Sequence, residues 1–144
     1  MNKIISFSLW GSNPKYVNGL LENLKLQSLI YPEWKIRCYI DETVPSSLRT
    51  KLEEGGAEIV MMPKSDGNYG LFWRFEPLKD TTIERFIVRD SDSRLNIREA
   101  AAVKEWGESG KEFHIMRDHP QHGAKICGGM WGATSEFINK IEKD

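Results

Sequence analysis

Two aspartates one residue apart, Asp90 and Asp92, stand in the run Val88-Arg89-Asp90-Ser91-Asp92-Ser93-Arg94, directly after the apolar Phe86-Ile87-Val88. In an extended chain residues two apart point the same way, so an Asp-Ser-Asp unit aims both carboxylates at one point. Two unpaired like charges that close repel, and one tends to keep its proton. A divalent cation removes the conflict. Mg2+ and Mn2+ prefer oxygen ligands, and Mg2+ typically takes one or two carboxylates together with substrate phosphates and water. The plain alternative is a pair of solvated turn aspartates bridged to Arg89 and Arg94. A position at the end of a buried strand brings the cation site level with that alternative.

The elements that must position this pair alternate between strand and helix. Residues 4–9 read as a strand, broken by Gly11-Ser12-Asn13-Pro14. From Tyr16 the apolar residues Val17, Leu20, Leu21 and Leu24 keep helical spacing, and that helix stops before Pro32. Residues 35–40 form a second strand closed by Asp41-Glu42. Pro45 suits the first turn of the next helix, with Leu48 and Leu52 facing inward and Gly55-Gly56 as a left-handed stop. Residues 57–62 are a third strand ended by Pro63. Residues 65–68 are rich in turn formers, the aromatic residues 70–78 read as a short helix, and residues 83–88 as a fourth strand. Asn96 caps a helix, with Glu99 at the position that reaches back and Trp106 near its end before Gly107. Residues 113–116 and 130–133 are the fifth and sixth strands, and a last helix starts at Thr134 or Ser135. This alternation predicts a single α/β domain over residues 1–144, with an open, mostly parallel, Rossmann-like sheet covered by helices on both faces. Ligands bind beyond the carboxyl ends of the strands of such sheets.

The bulk numbers narrow the function. A chain of 144 residues is enough for one core and too short for two ordinary domains. With 20 basic and 21 acidic residues the net charge is −1, which argues against nucleic acid or an anionic membrane as a partner held by general attraction. Cys38 and Cys127 form no CxxC pair, so they read as reduced, buried thiols and not as a disulfide framework or a zinc site. The start, MNKIISFSLWGSNP, has no cleavage pattern, and no apolar run approaches the ~20 residues of a membrane span. The expectation is a cytoplasmic protein without a transmembrane segment.

A strand, then Arg-Asp-Ser-Asp, then a helix resembles the DxD element of the GT-A nucleotide-diphospho-sugar glycosyltransferases. The SLWG run followed by a helix resembles their nucleotide-binding first strand and loop. The segments RDSDSRLNIREAAAVKEW and FHIMRDHPQHGAKICGGMWG are similar to those of a group of small, DxD-containing, virus-type glycosyltransferase-like proteins, and the similarity spans nearly the whole chain. The resemblance implies Mn2+ or Mg2+ as cofactor, gripping the diphosphate of a nucleotide-sugar donor. UDP-sugar is the favoured donor and GDP-sugar the next, and the acceptor is a hydroxyl of a glycan or protein. It makes Asp92 a direct metal ligand and Asp90 a contact of metal or ribose. It also implies a histidine ligand further along, for which His122 and His119 are the candidates and His122 completes the expected set.

The other donor contacts come from residues at the ends of strands. Leu9, Trp10 and Gly11 follow the first strand, and the Trp10 face suits a nucleobase; its plain role is core packing. Asp41 suits base or ribose, or simply a turn. Arg74, in LFWRFEP, suits the diphosphate because guanidinium binds phosphate in a fork; its plain role is a salt bridge to Glu76 or Asp80. Arg89 is a second phosphate or sugar contact, or the counter-charge of the neighbouring aspartates, with Ser91 between them. Gly128-Gly129 lets backbone approach a ligand, Gly129 in particular, or merely turns the chain.

The reaction implied is transfer of a sugar from the diphosphate to the acceptor, with charge developing on the leaving group. Asp118, in Arg117-Asp118-His119-Pro120, is the candidate base for an inverting course; the lack of a second clearly placed acid favours retention. Enzymes of this fold usually exceed ~200 residues, against ~150 for a bare α/β core. The readings of that length are therefore a minimal donor-binding core, a truncated relative or a subunit completed by another chain, a homo-oligomer being one such assembly; the alternative function is a non-catalytic nucleotide-sugar-binding or interaction module. A haloacid-dehalogenase-type phosphohydrolase also has a DxD after a strand, but after the first strand, where Ser8-Leu9-Trp10 stands here.

Overall fold

The computed structural model describes residues 2–64, 69–91, 93–115, 130–137 and 140. The strands are β1 (Asn2–Leu9), β2 (Lys35–Ile40), β3 (Glu58–Met61), β4 (Ile83–Arg89), β5 (Phe113–Ile115) and β6 (Met130–Thr134). Among the described residues the helices are α1 (Pro14–Ile30), α2 (Ser46–Glu54) and α3 (Ile97–Ser109), with a 3-10 helix over Tyr69–Lys79 and helical residues 135–137 after β6. They build one six-stranded sheet in the order β3-β2-β1-β4-β6-β5.

β1 pairs in parallel with both β2 and β4, and β2 with β3. β6 is antiparallel to β4 and to β5, so β5 runs in the direction of β4. The carboxyl ends of β1 to β5 therefore share one edge, and β6 begins there, with Met130 opposite Arg89. The chain order reverses between β1 and β4. This is the topological switch point, where connections diverge and leave a crevice.

Alternation along the strands builds two cores. Ile5, Phe7 and Leu9 of β1 join Ile36, Cys38 and Ile40 of β2 and Ile87 of β4 beneath Leu20 and Leu24 of α1 and Val103 and Trp106 of α3. On the other face Ile4, Phe86, Val88, Trp131 and Ala133 pack under Phe75 and Leu78 of the 3-10 helix and under Phe137. Fully burying a side chain such as Leu20 or Ile87 contributes about 1.5–3 kcal/mol.

Helix boundaries follow their caps. Asn13 Oδ1 accepts from Lys15 N at 3.0 Å, and Pro14 takes the first helical position, where its missing N–H costs nothing. The end before Pro32 is as expected, with Tyr31 N bonded to Gln27 O at 2.8 Å. Of the predicted glycine stop after α2, Gly56 alone has the left-handed φ, at 98°. Asn96 Oδ1 caps α3 by accepting from Glu99 N at 2.8 Å. Glu99 reaches back to the Asn96 side-chain amide at 3.0 Å and not to its backbone. The helix runs past Gly107, which stays helical, and ends at Gly110 with φ 73°. The aromatic segment is a helix of the tighter 3-10 kind, with Pro77 inside it.

Candidate functional site

A cleft of about 490 Å³ opens at the switch point. Leu9, Trp10 and Gly11 line it from the exit of β1, Asn13 and Tyr16 from the start of α1, Arg74 from the 3-10 helix, and Arg89, Asp90 and Ser91 from the exit of β4. Of the predicted donor-site residues seven line this cavity, and Asp41 is linked to it through Thr43, which accepts from Gly11 N. A larger cleft, about 640 Å³, lies between the end of α1 and α3 beside the amino ends of β1 and β4. It contains none of the predicted residues, and the strand ends that face it are the wrong ones for ligand binding in this class of sheet.

Each wall of the smaller cleft is fixed by a specific contact. Gly11 takes φ 75°, a conformation that side-chain-bearing residues avoid, and its N–H donates to Thr43 Oγ1 at 2.6 Å. Asp41, 1 % exposed, accepts from Thr43 N at 3.0 Å and from the Thr43 hydroxyl. Its carboxylate builds the turn after β2 and reaches the cleft through Thr43 and Gly11. Trp10 meets the buried Trp73 edge to face, with centroids 6.3 Å apart, and so is braced while still lining the cleft.

Arg74 is placed by β1. Its carbonyl accepts from the buried Ser6 Oγ at 2.8 Å, and its guanidinium pairs with Asp90 Oδ1. The plain alternative partners are engaged elsewhere: Asp80 with Arg37 at 3.0 Å and Glu76 with Lys79 at 3.2 Å. The Arg74 side chain is 12 % exposed and that of Asp90 is 44 %, so the carboxylate remains open to the cleft. Arg89, which also lines the cleft, is held by a buried pair. It is 2 % exposed, bonds Glu99 Oε1 through Nε at 2.5 Å, and donates from Nη1 to Val88 O at 2.8 Å. That buried pair ties the end of β4 to the first turn of α3, on either side of the acidic loop.

His114 on β5 stacks on Trp106 with centroids 5.2 Å apart. Burial, with the charge of Arg89 adding to it, pushes its pKa down to about 4. Burial likewise pushes the Cys38 thiol far above its usual range, which makes it inert, as its expected role requires.

Two residues of the site escaped the sequence reading. Asn23 of α1 is fully buried; its Nδ2 donates to Ser93 O at 2.8 Å and its Oδ1 accepts from Leu95 N at 3.0 Å. A Cβ on Gly19, one turn earlier, would lie 2.0 Å from Ser91 O. A glycine in a helix interior is a signal of close approach, and an asparagine four residues on shares its face.

Asp92, Asp118, His119, His122, Gly128 and Gly129 lie outside the described residues. Among the described residues no three His, Cys, Asp or Glu side chains converge as a metal site, and no helix is long and apolar enough to cross a membrane.

Comparison with solved structures shows which folds this sheet resembles. The chain superposes on the Pyrobaculum calidifontis mannosyltransferase PcManGT, solved with GDP-Man and Mn2+, with TM-score 0.67 at 12% identity, covering 97% of this chain and 46% of that one. The fold is of the GT-A type. S. aureus TarS 1-349 in complex with UDP-GlcNAc aligns with TM-score 0.67 at 15% identity over 99% of this chain and 48% of that one. A cytidylyltransferase from Leptospira borgpetersenii gives TM-score 0.66 at 12% identity over 99% of this chain and 63% of that one. This chain therefore spans less than two thirds of each of these GT-A-type and cytidylyltransferase structures. No protein-family model matches it, and no curated protein matches it in sequence.

Proposed function

We propose that this chain is a metal-dependent glycosyltransferase that takes its sugar from a nucleoside diphosphate, with UDP-sugar as the favoured donor. The observation that carries the reading is the meeting of Trp10, Arg74 and the open Asp90 carboxylate in one cleft at the switch point. An aromatic face suits a base, a guanidinium a diphosphate, and a carboxylate a hard cation. The PcManGT complex, with both a nucleotide sugar and Mn2+ on the same fold, supports it.

The residues fit a divalent cation. Asp90 offers oxygen donors on a half-exposed carboxylate, which a cation would take over from Arg74. Asp92 is the proposed principal ligand and His122 the proposed third. A bound Mn2+ or Mg2+ supplies Lewis-acid stabilisation of the diphosphate as it leaves. Arg74 adds a second positive charge to the same group, and Trp10 and Gly11 seat the nucleoside. In the transfer the anomeric C–O bond breaks with its electron pair going to the diphosphate, the acceptor oxygen bonds to the anomeric carbon, and the acceptor proton goes to a base. Asp118 is the candidate for that base.

The test is a thermal-shift panel of UDP-, GDP- and CMP-sugars and of CTP, each with and without Mn2+. A specific ligand stabilises in proportion to the logarithm of its concentration over Kd, so the true donor separates from the rest. A Mn2+-dependent shift with UDP-sugars is expected. A flat response to every sugar nucleotide would sink the reading, and a response to CTP alone would move the chain to the cytidylyltransferase side of the fold. Donor binding without transfer or hydrolysis would identify a nucleotide-sugar-binding module.

A further inference from the structure

We infer that Asn23 and Gly19, on one face of α1, are positioning residues that set the height of the acidic loop over the cleft, and with it the affinity for the cation. The inference rests on the cation–diphosphate reading of that cleft. Residues four apart on a helix lie one above the other, so the two act on one neighbouring segment. That segment is the loop leaving β4. Its backbone is closed first by its own turn, with Ser93 N bonded to Asp90 O at 3.1 Å. Asn23 then holds it at two further points, Ser93 O and Leu95 N, using both ends of one amide. Asn23 is 0 % exposed and its bond to Leu95 N is buried, so water cannot take its place there, while its bond to the exposed Ser93 is only partly buried.

Gly19 sets the floor. The Ser91 carbonyl, in the residue between the two aspartates, comes so near that any Cβ at position 19 would overlap it at 2.0 Å, and the Arg94 guanidinium at 3.0 Å. Helix interiors disfavour glycine, and α1 has conventional ends, Asn13 with Pro14 at one and Tyr31 at the other. The glycine therefore serves the loop and not the helix. With its backbone seated against α1, the loop leaves Asp90 half-exposed and paired with Arg74. A cation shared between carboxylates and a diphosphate requires its ligands to be held closely in place, and groups behind the ligands supply that hold.

Gly19→Ala is the decisive variant. It removes no hydrogen-bonding group and favours helix, yet it must drive Ser91 away. Asn23→Asp is its companion; it keeps the acceptor for Leu95 N and loses the donor to Ser93 O. Both are checked for folding by circular dichroism, then compared with the unaltered chain in three measurements: Mn2+ affinity in the presence of UDP (with GDP as a parallel arm), uridine affinity without metal, and hydrogen exchange of the 90–95 amides. The expected result is Mn2+ affinity roughly 10–100-fold weaker, uridine affinity unchanged within about twofold, and faster exchange in the loop. Folded variants with unaltered Mn2+ affinity would overturn the inference, whether or not the loop exchanges faster. If the unaltered chain shows no Mn2+-dependent binding of either nucleotide, the cation–diphosphate reading itself fails and this role falls with it. Should Asn23→Asp not fold, Gly19→Ala decides alone.

Discussion

Arg74 and Asp90 form an ion pair across the switch-point cleft, one from the 3-10 helix and the other from the exit of β4. The guanidinium stands where the proposed cation would compete for the carboxylate, and the carboxylate holds the group that the diphosphate would claim. Cation and nucleotide should therefore bind with positive coupling, each releasing the partner the other needs. Arg74→Gln is expected to bind Mn2+ alone more tightly and UDP more weakly. A charge-assisted hydrogen bond of about 1.5–3 kcal/mol corresponds to roughly ten- to hundredfold in UDP affinity. Calorimetric titrations of metal and nucleotide, separately and together, measure both sides; equal Mn2+ affinity in the two proteins would refute the competition.

Asp92→Ala is expected to abolish Mn2+-dependent binding of UDP-sugar while leaving the fold intact, because Asn23 holds the loop backbone at Ser93 and Leu95. The check is the thermal shift with donor, with and without Mn2+. An unchanged manganese dependence would remove Asp92 from the metal assignment.

Glu99→Ala leaves the Arg89 guanidinium without its buried carboxylate. Breaking a buried pair by removing one partner typically costs about 3–5 kcal/mol. Arg89 is 2 % and Glu99 4 % exposed, so solvent cannot compensate. Urea unfolding should show the loss, and Arg89→Met combined with Glu99→Leu should recover much of it. A single variant as stable as the parent would mean that the pair does not anchor α3 to β4.

The folded-state pKa of His114, about 4, lies below its ordinary 6.5. The unfolded chain therefore takes up the proton first. The stability from keeping this ring neutral is full above pH 6.5 and is lost as pH falls toward about 4. His114→Phe keeps an aromatic ring against Trp106 and has nothing to protonate, so its thermal midpoint should fall less steeply across that window. Parallel slopes for the two proteins would exclude the effect.

The strands and helices were legible in the sequence because period-2 and period-3.6 patterns and caps such as Asn96 act locally. The same reading placed Trp10, Arg74 and Asp90 at strand ends, and the fold unites them because β1 and β4 are neighbours at the switch point. The antiparallel course of β6 and the extension of α3 to Gly110 were less visible, since each depends on what the segment packs against.

Residue types along the chain determined which groups have the chemistry to hold a base, a diphosphate and a cation. Only the tertiary structure decided how those groups pair. Arg74 chose Asp90 over Glu76, its neighbour in sequence, Arg89 turned inward to Glu99, and Asn23 reached a loop 70 and 72 residues further along the chain. Such choices turn on distance, burial and competing partners, and these exist only once the sheet has brought remote segments together.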